Sequence, residues 1–269
     1  MTNSDDKLYY SILASGSSGN ATYLETAHHR ILIDAGLSGK RLEERMQAIG
    51  RSLNDVEALF VTHEHSDHVQ GVGVLARRYG MDVYANAKTW QAMAKKVGQI
   101  PLAQKNIIEP GKVKDFGDLE VESFAVSHDA ACPQFYQMHH DNQTFCILTD
   151  TGYVSQRVAK TIENADAYLM ECNHDTEMLR MGPYSWPIKQ RILSDEGHLS
   201  NEESAQALLD VIGTNTKKVF LGHRSQHNNI RSLAHLTVAT ILEQHDLGVD
   251  QDFDLKDAEP DQPSKLLAL

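Results

Sequence analysis

The densest group of residues that could perform chemistry lies at positions 62–68, where the sequence reads THEHSDH. Side chains alternate along an extended segment, so His63 and His65 are predicted to point to the same side. Asp67 and His68 then fall on the first turn of a following helix. Imidazole and carboxylate groups in this mixture suit divalent ions such as zinc, manganese or iron. The spacing therefore predicts a metal site, against the alternative of a histidine-rich surface loop.

Three further candidate ligands each follow an apolar, strand-like run: His128, Asp150 and His223. A single polar residue at a strand end is usually a cap or a turn former. Together with residues 62–68, however, these three have the right types to hold two adjacent metals, with Asp150 between them. The metalloprotease pattern of two histidines four residues apart on one helix is excluded, because His63 and His65 are only two apart.

These candidates need a scaffold of alternating strands and helices, and the hydrophobic pattern supplies one in both halves of the chain. Strands are predicted near 8–13, 22–25, 30–34, 58–62, 82–84, 143–148, 167–170 and 219–221, with a hairpin over 113–126. Helices are predicted near 38–49, 69–79, 154–163, 201–211 and 230–245. The pattern indicates an α/β fold of stacked sheets covered by helices. We expect a single domain over residues 1–247 and an acidic, weakly ordered tail over 248–269.

The composition limits the classes of function. The 269 residues carry a net charge of −12, which excludes a nucleic-acid binder that is basic all over. It does not exclude a local site where bound cations reverse the field. The three cysteines are too few for a disulfide framework, and neither a secretory or transit signal nor a membrane-spanning run is evident. We therefore predict a cytoplasmic protein.

The order of these motifs resembles the metallo-β-lactamase superfamily: a strand ending in an acid, then HxHxDH, a lone His, a lone Asp and a final His. More narrowly, SGSSGN, ILIDAG, THEHSDH, SHDA, TDTG, ECNHD and LGHRSQHNN resemble the YycJ/WalJ group of metal-dependent DNA exonucleases, which act 5′ to 3′. The resemblance extends from about residue 8 to 246. It implies a four-layer αββα sandwich with its site at one edge of the paired sheets.

The resemblance also implies a ligand set for two divalent ions (zinc, manganese or iron). The residues implied as ligands are His63, His65 and His128 for the first ion, Asp67, His68 and His223 for the second, and Asp150 as the bridge. Asp34 would orient a ligand histidine through its free ring nitrogen. Apart from the resemblance, His174 could be a second outer residue, could face the substrate, or could belong to a surface salt bridge or a cap. A hydroxide between the ions would attack a phosphodiester, with Asp67 among the catalytic residues and DNA as substrate.

His198 is the candidate general acid. Ribonuclease Z, another phosphodiesterase of the superfamily, carries a histidine that is not a ligand upstream of its last metal-binding histidine, and His198 precedes His223 in a similar way. Imidazole titrates near neutral pH, which suits this role. The alternative is a capping or structural residue before a helix that starts at Ser200 or Asn201.

Substrate contacts are less sharply indicated. Ser17, Ser18 and Asn20, in SGSSGN, could present hydroxyl and backbone N–H groups to a phosphate, or could simply form a tight turn. Arg224 could pair with a substrate phosphate or form a salt bridge. A cleft beside the metals could use other basic side chains that a solvated surface would explain equally well: Lys40, Arg180, Lys189 and Arg191.

Three functions remain open from the sequence. The first is a dinuclear-metal phosphodiesterase acting on DNA ends. The second is a hydrolase of a lactam, a thioester or a small cyclic phosphate; a lactamase is disfavoured because His68 follows Asp67 as a further ligand. The third is a metal-binding partner protein without catalysis, which a complete ligand set disfavours. The interval between Asp150 and His223 is too short for an inserted nuclease domain, and no long basic arm is present.

Overall fold

A computed structural model describes residues 7–269, and the first six residues of the acidic N-terminus lie outside that range. The strands form two seven-stranded sheets. In chain order they are β1 (Tyr9–Ala14), β2 (Ala21–Glu25), β3 (Arg30–Ile33), β4 (Ala58–Phe60), β5 (Asp82–Ala85), β6 (Lys105–Ile107), β7 (Val113–Asp115), β8 (Glu120–Ala125), β9 (Gln134–His140), β10 (Gln143–Leu148), β11 (Ala167–Glu171), β12 (Lys218–Gly222), β13 (Asp254–Asp257) and β14 (Leu267–Ala268).

Each sheet is antiparallel on one side and parallel on the other. The first has the order β14-β1-β2-β3-β4-β5-β6 and is parallel from β3 to β6. The second has the order β13-β12-β11-β10-β9-β8-β7 and is parallel from β10 to β13. The carboxyl ends of parallel strands meet at one edge of a sheet, which is where α/β proteins place their ligands.

Helices cover the outer faces of the sheets. They are α1 (Gly39–Ala48), α2 (Ser66–Val69), α3 (Val72–Tyr79), α4 (Ala87–Val97), α5 (Gln156–Ile162), α6 (Thr176–Met181), α7 (Trp186–Ile192), α8 (Asn201–Val211) and α9 (Arg231–Gln244). Side chains of α1, α3 and α4 pack on the first sheet, and those of α5, α8 and α9 on the second. Within residues 7–269, none of the helices is long and apolar enough to cross a bilayer.

Two buried apolar clusters hold the sheets and helices together: one fills the space between the sheets and continues under α5, α8 and α9, and the other lies under α1, α3 and α4. In β3, Ile31 and Ile33 belong to the first cluster, whereas Leu32 belongs to the second, as the two-residue period of a strand requires. Across the sheets, the rings of Tyr10 and Phe145 stack with centroids 4.4 Å apart. This arrangement confirms the αββα sandwich predicted from the sequence.

One helix predicted over 69–79 is instead two. It begins earlier, as α2, and breaks at Gly71 before α3. At the break the Gly71 amide donates to the Ala35 carbonyl at 2.7 Å instead of to a carbonyl of the helix. Glycine is required for this close approach, because a Cβ at Gly71 would lie 2.5 Å from the Leu37 carbonyl oxygen. The sequence analysis did not predict α4 or β9.

The segment 248–269 differs most from its expectation. Its acidic composition predicts a weakly ordered tail, whereas the structure places β13 beside β12 and β14 beside β1. Ser264 also accepts a hydrogen bond from the Ile12 amide at 3.0 Å. The composition misleads because apolar side chains such as Phe253 and Leu255, spaced two apart, are buried between the acidic residues.

Candidate metal centre

The polar centre is built at the carboxyl ends of the parallel strands. Asp34 comes directly after β3 and His223 directly after β12. Asp150 lies two positions after the last residue of β10. All three have a left-handed backbone, with φ of 60°, 47° and 52°. Such values are uncommon for residues other than glycine, and they cluster at functional sites where the surrounding structure enforces them. At each position the chain leaves the sheet with a polar side chain at its edge.

Three imidazoles form what we call the first group: His63, His65 and His128. One ring nitrogen from each lies within 4.8 Å of the others. His63 and His128 are buried, whereas 28% of the His65 side chain is exposed. The Nδ1 atom of His128 lies 3.1 Å from the Gly197 carbonyl oxygen, which orients the ring and leaves its Nε2 atom for the centre.

The second group consists of Asp67, His68 and His223, again with one ligand atom each inside 4.8 Å. Asp67 Oδ2 lies 3.7 Å from both His68 Nε2 and His223 Nε2. His68 and His223 are buried, and Asp67 is half-buried. This group therefore contains a carboxylate, whereas the first group has none.

Asp150 lies between the two groups. Its Oδ2 atom is 3.1 Å from His68 Nε2, and its Oδ1 atom is 3.3 Å from His223 Nε2 and 3.8 Å from His128 Nε2. A single carboxylate is thus close to ring nitrogens of both groups, the arrangement required of a bridging ligand.

The donor atoms fit a divalent cation. The Nε2 atoms of His63, His128 and His223 are buried and have no hydrogen-bond partner among residues 7–269. Buried polar atoms without partners are costly, and native proteins normally satisfy them. Imidazole nitrogens and carboxylate oxygens are ligands of zinc, manganese and iron. The convergence of these ring nitrogens on one space is what such an ion would satisfy.

Asp34 supports the second group from outside. Its Oδ2 atom lies 2.8 Å from His68 Nδ1, so the other ring nitrogen of His68 is turned toward Asp150. The backbone amide of Thr62 donates to Asp34 Oδ1 at 2.9 Å, which fixes the carboxylate in turn. A carboxylate behind a ligand histidine sets the ring orientation and tautomer.

Glu171, the last residue of β11, is the main functional candidate that the sequence analysis missed. It is fully buried, and its Oε1 atom lies 2.8 Å from His198 Nδ1 and 2.9 Å from His223 Nδ1. Its Oε2 atom accepts from the amides of Thr151 and Leu199. The available signal was an apolar strand ending in an acid, as at Asp34.

Burial and neighbouring charges divide the histidines into two kinds. Burial, reinforced by neighbouring imidazoles, holds the pKa of His63 and His128 below the ordinary value. Burial also disfavours charge on His68 and His223, but the surrounding carboxylates outweigh it. They hold the pKa of His68 well above its usual range and raise that of His223 to about 10. Glu171, although buried, has its pKa lowered to about 2 by His198 and His223.

His198 and His174 have different surroundings. His198 is partly exposed, and its ring centroid lies 5.1 Å from that of His128 and 5.3 Å from that of His223. It does not cap α8, because Ser200 is the N-cap residue. His174 is buried, with no hydrogen bond at either ring nitrogen within the described residues, and burial lowers its pKa to about 4. The structure brings His198 to the centre but gives His174 no hydrogen bond to a ligand residue.

Of the residues expected to bind substrate, some line a cavity beside the centre and others form contacts within the protein. Ser17 and Ser18 line a cavity beside Asp67. Asn20 turns inward instead, and its Nδ2 atom lies 3.1 Å from His68 Nε2. Arg224 donates to the Leu221 and Ala258 carbonyls and pairs with two acidic residues of the C-terminal segment. Its guanidinium therefore holds that segment, and the expected phosphate contact is not supported.

The four basic residues proposed for a cleft are mostly engaged elsewhere. Lys189 is buried and donates to the Arg180 carbonyl at 2.6 Å. Arg180 pairs with Glu177, and the exposed Lys40 lies 3.9 Å from Glu44. Arg191 pairs with Asp129, whose Oδ1 atom is 3.3 Å from His128 Nε2. Only Arg191 is therefore close to the centre.

Comparison with known proteins agrees with this geometry. The family described as "Beta-lactamase superfamily domain" matches residues 29–223, and the chain belongs to that superfamily. It is 57% identical over 259 residues to Exodeoxyribonuclease WalJ of Streptococcus pneumoniae (serotype 2, strain D39), a match that covers 96% of each chain. It is 51% identical to Exodeoxyribonuclease YycJ of Bacillus anthracis, over 96% of this chain and 98% of that one. The resemblance to the YycJ/WalJ group is confirmed.

Solved structures support the fold in the same way. The metallo-β-lactamase fold protein YhfI from Bacillus subtilis matches with a TM-score of 0.71 and 14% identity, over 96% of this chain and 99% of that one. At this identity the likeness concerns the fold alone. A superfamily defined by metal-dependent sites and the histidine–aspartate groups described above together imply that the chain binds divalent metal ions.

Proposed function

We propose that this protein is a dinuclear-metal DNA exonuclease that degrades strands from the 5′ end. One observation carries the proposal: seven side chains of metal-binding type, from separate stretches of the chain, converge at one edge of the paired sheets. The names of the relatives at 57% and 51% identity specify DNA as the substrate of those proteins, which supports DNA as the substrate proposed here. Such a substrate would be met in the cytoplasm, in keeping with the sequence-based prediction.

The ligand groups would divide the two ions between them. One ion would be held by His63, His65 and His128. The other would be held by Asp67, His68 and His223, and Asp150 would contact both ions. When bound, two divalent ions supply positive charge for a phosphoryl group and a hydroxide nucleophile at neutral pH. Positive charge at this point would let a protein of net charge −12 accept a polyanion.

His198 would supply the proton that the leaving oxygen requires. Its Nδ1 atom is held by Glu171 at 2.8 Å, which leaves Nε2 as the atom that can donate to substrate. Glu171 keeps a negative charge at neutral pH, because its pKa is lowered to about 2. A buried carboxylate behind an imidazole fixes the orientation of the ring. Glu171 is thus a positioning residue that links His198 to His223.

Digestion of linear duplex DNA tests the proposal. Wild-type protein loaded with manganese or zinc should release nucleotides from the 5′ end, followed with 5′- and 3′-labelled strands. Asp67→Ala should lose this activity, whereas Asp55→Ala, at an exposed carboxylate outside the centre, should retain it. Equal rates for wild type and Asp67→Ala would contradict the metal mechanism. Turnover of a thioester without any digestion of DNA would contradict the assignment of substrate.

A further inference from the structure

We propose that a cavity beside the metal centre binds the terminal phosphate monoester of a DNA strand. This serine–lysine pocket is lined by Ser17, Ser18, Ser66 and Lys96, next to Asp67. The inference rests on the proposed function, because it names the part of the substrate that the centre would hold. The sequence analysis proposed Ser17 and Ser18 as phosphate contacts and did not include Ser66 or Lys96.

The pocket has the size and lining of a site for a small polar group. Its volume is about 450 Å³. The residues around it are mostly polar: Ser17, Ser18, Gly36, Ser66, Asp67, Val69, Gln70 and Lys96. Hydroxyl and ammonium groups are hydrogen-bond donors, which suits an anion, whereas a site for a nucleobase would need an apolar or aromatic surface.

Backbone hydrogen bonds fix the pocket relative to the metal centre. The Asn20 amide donates to the Asp67 carbonyl at 2.8 Å, and the Gly36 amide donates to the Asn20 carbonyl at 2.8 Å. A Cβ at Gly36 would lie only 1.6 Å from the Asp67 carbonyl oxygen, so glycine is required for this close approach. The loop that carries Ser17 and Ser18 is therefore attached directly to a residue of the second group.

The donors of the pocket remain available for a ligand. Lys96 donates one hydrogen bond, to the Glu64 carbonyl at 2.8 Å, and forms no ion pair with a carboxylate within residues 7–269. An ammonium has three donors, so this contact orients it and leaves two. The hydroxyls of Ser17, Ser18 and Ser66 likewise form no hydrogen bond with other described residues.

The number of donors in the pocket favours a terminal phosphate over an internal one. A phosphate monoester carries about −1.5 to −2 charges at pH 7 and three strong acceptor oxygens. An internal phosphodiester carries a single charge and has two free oxygens. The Lys96 ammonium and three hydroxyls match the larger number of acceptors, and the Asp67 carboxylate in the same lining would be compensated by metal bound at the centre. A pocket of this kind would place a strand end beside the metals and would favour cutting at ends over cutting within a strand.

Equilibrium binding of short DNA strands tests the inference independently of cleavage. We would measure fluorescence anisotropy of labelled, phosphorothioate-linked strands with 5′-phosphate, 3′-phosphate or hydroxyl ends, bound to the metal-loaded protein. Wild type should bind a phosphorylated end at least about tenfold more tightly than the hydroxyl strand, and the two phosphorylated arms distinguish which end is recognised. Lys96→Met should reduce the ratio to near one, and Lys96→Arg should restore part of it.

The matched control is Lys95→Met, an exposed neighbour in the last turn of α4 that does not line the pocket. It should keep the wild-type ratio, and a Ser17→Ala/Ser18→Ala double variant should lower it. Equal affinity of wild type for all three strands, or an unchanged ratio in Lys96→Met, would overturn the inference. Loss of the proposed function is recognised separately, as no digestion of DNA by a wild type that still discriminates between strand ends in binding.

Discussion

The histidine rings of the two candidate ligand groups are of the same chemical type but opposite in electrostatic character. In the first group, burial and neighbouring imidazoles hold the pKa of His63 and His128 below its ordinary value. In the second, burial acts the same way on His68 and His223, but carboxylates on several sides outweigh it and raise the pKa of both rings. The difference comes from the acidic residues packed around the rings and not from the rings themselves.

This difference gives the groups distinct behaviour before a metal binds. At neutral pH the buried rings of the first group are neutral, so their lone pairs are ready for a cation. His68 and His223 are protonated and compensate the surrounding acids, which include Asp150 and Glu171. A cation entering the second group must displace these protons, because only neutral imidazole is a metal ligand. In the second group, binding would therefore replace the positive charge of protonated histidines by the positive charge of a metal ion.

The largest effect is expected from Asp150→Asn, because Asp150 is close to both groups. The variant should fold, since asparagine tolerates the left-handed backbone at this position, where φ is 47°. We expect DNA digestion to fall by more than the roughly 10–100-fold typical of outer-shell substitutions, and bound metal to decrease. Metal analysis and DNA digestion measure the two effects. Full metal content with normal activity would show that the groups do not share this carboxylate.

A substitution behind the second group separates the two. Asp34→Asn preserves the shape of the side chain but removes the charge that faces His68 Nδ1 at 2.8 Å. We expect the affinity of the second group for metal to fall by roughly 10–100-fold while the first group is unchanged. Metal titration by calorimetry should then show one site weakened. A uniform loss at both sites would contradict the distinction between them.

Proton release on metal binding tests the electrostatic contrast directly. The pKa of His223 is raised to about 10, so at pH 8 the metal-free ring carries a proton that metal must displace. Affinity of the second group should rise with pH, by up to about tenfold per pH unit for each proton displaced, until the pH passes about 10. Calorimetry in buffers of different ionisation enthalpy should detect the released proton. Binding that is independent of pH and of buffer would show that His223 is neutral in the metal-free protein.

The smallest effect is expected from Asp129→Asn, beside the first group. Asp129 Oδ1 lies 3.3 Å from His128 Nε2, but the carboxylate is partly exposed and already paired with Arg191. Exposed ion pairs contribute about 0.2–1 kcal/mol, so metal affinity should change by less than about fivefold. A much larger loss, measured in the same titration, would mean that the first group also depends on a carboxylate.

Local sequence was enough to predict the edge of the sheets at which the centre lies. Asp34, Asp150 and His223 each follow an apolar run, and parallel strands bring such ends together whatever the loops do. Glu171 follows the same rule and could have been predicted. Its role could not, because that depends on the ring of His198, which is 27 positions away along the chain and reaches Glu171 only through the loop before α8.

Charged residues were the least predictable. The sequence shows that Arg224 is basic and follows a candidate ligand, but its partners Asp257 and Glu259 lie in the C-terminal segment, 33 and 35 positions away. The same segment was expected to be weakly ordered, and its pairing with β12 and β1 accounts for both differences. Lys96 was overlooked because α4 was not predicted, and only its packing beside α2 brings the ammonium to the pocket.

The amino-acid sequence alone determined the types of the candidate ligands, their positions at strand ends and the class of fold, because strand period and backbone preference are local properties. The tertiary structure decided which histidine faces a carboxylate, which basic side chain is already paired with an acidic one and where a pocket opens beside the centre. Those outcomes depend on contacts between distant segments, and the energy of a charge depends on what is packed within a few ångströms of it.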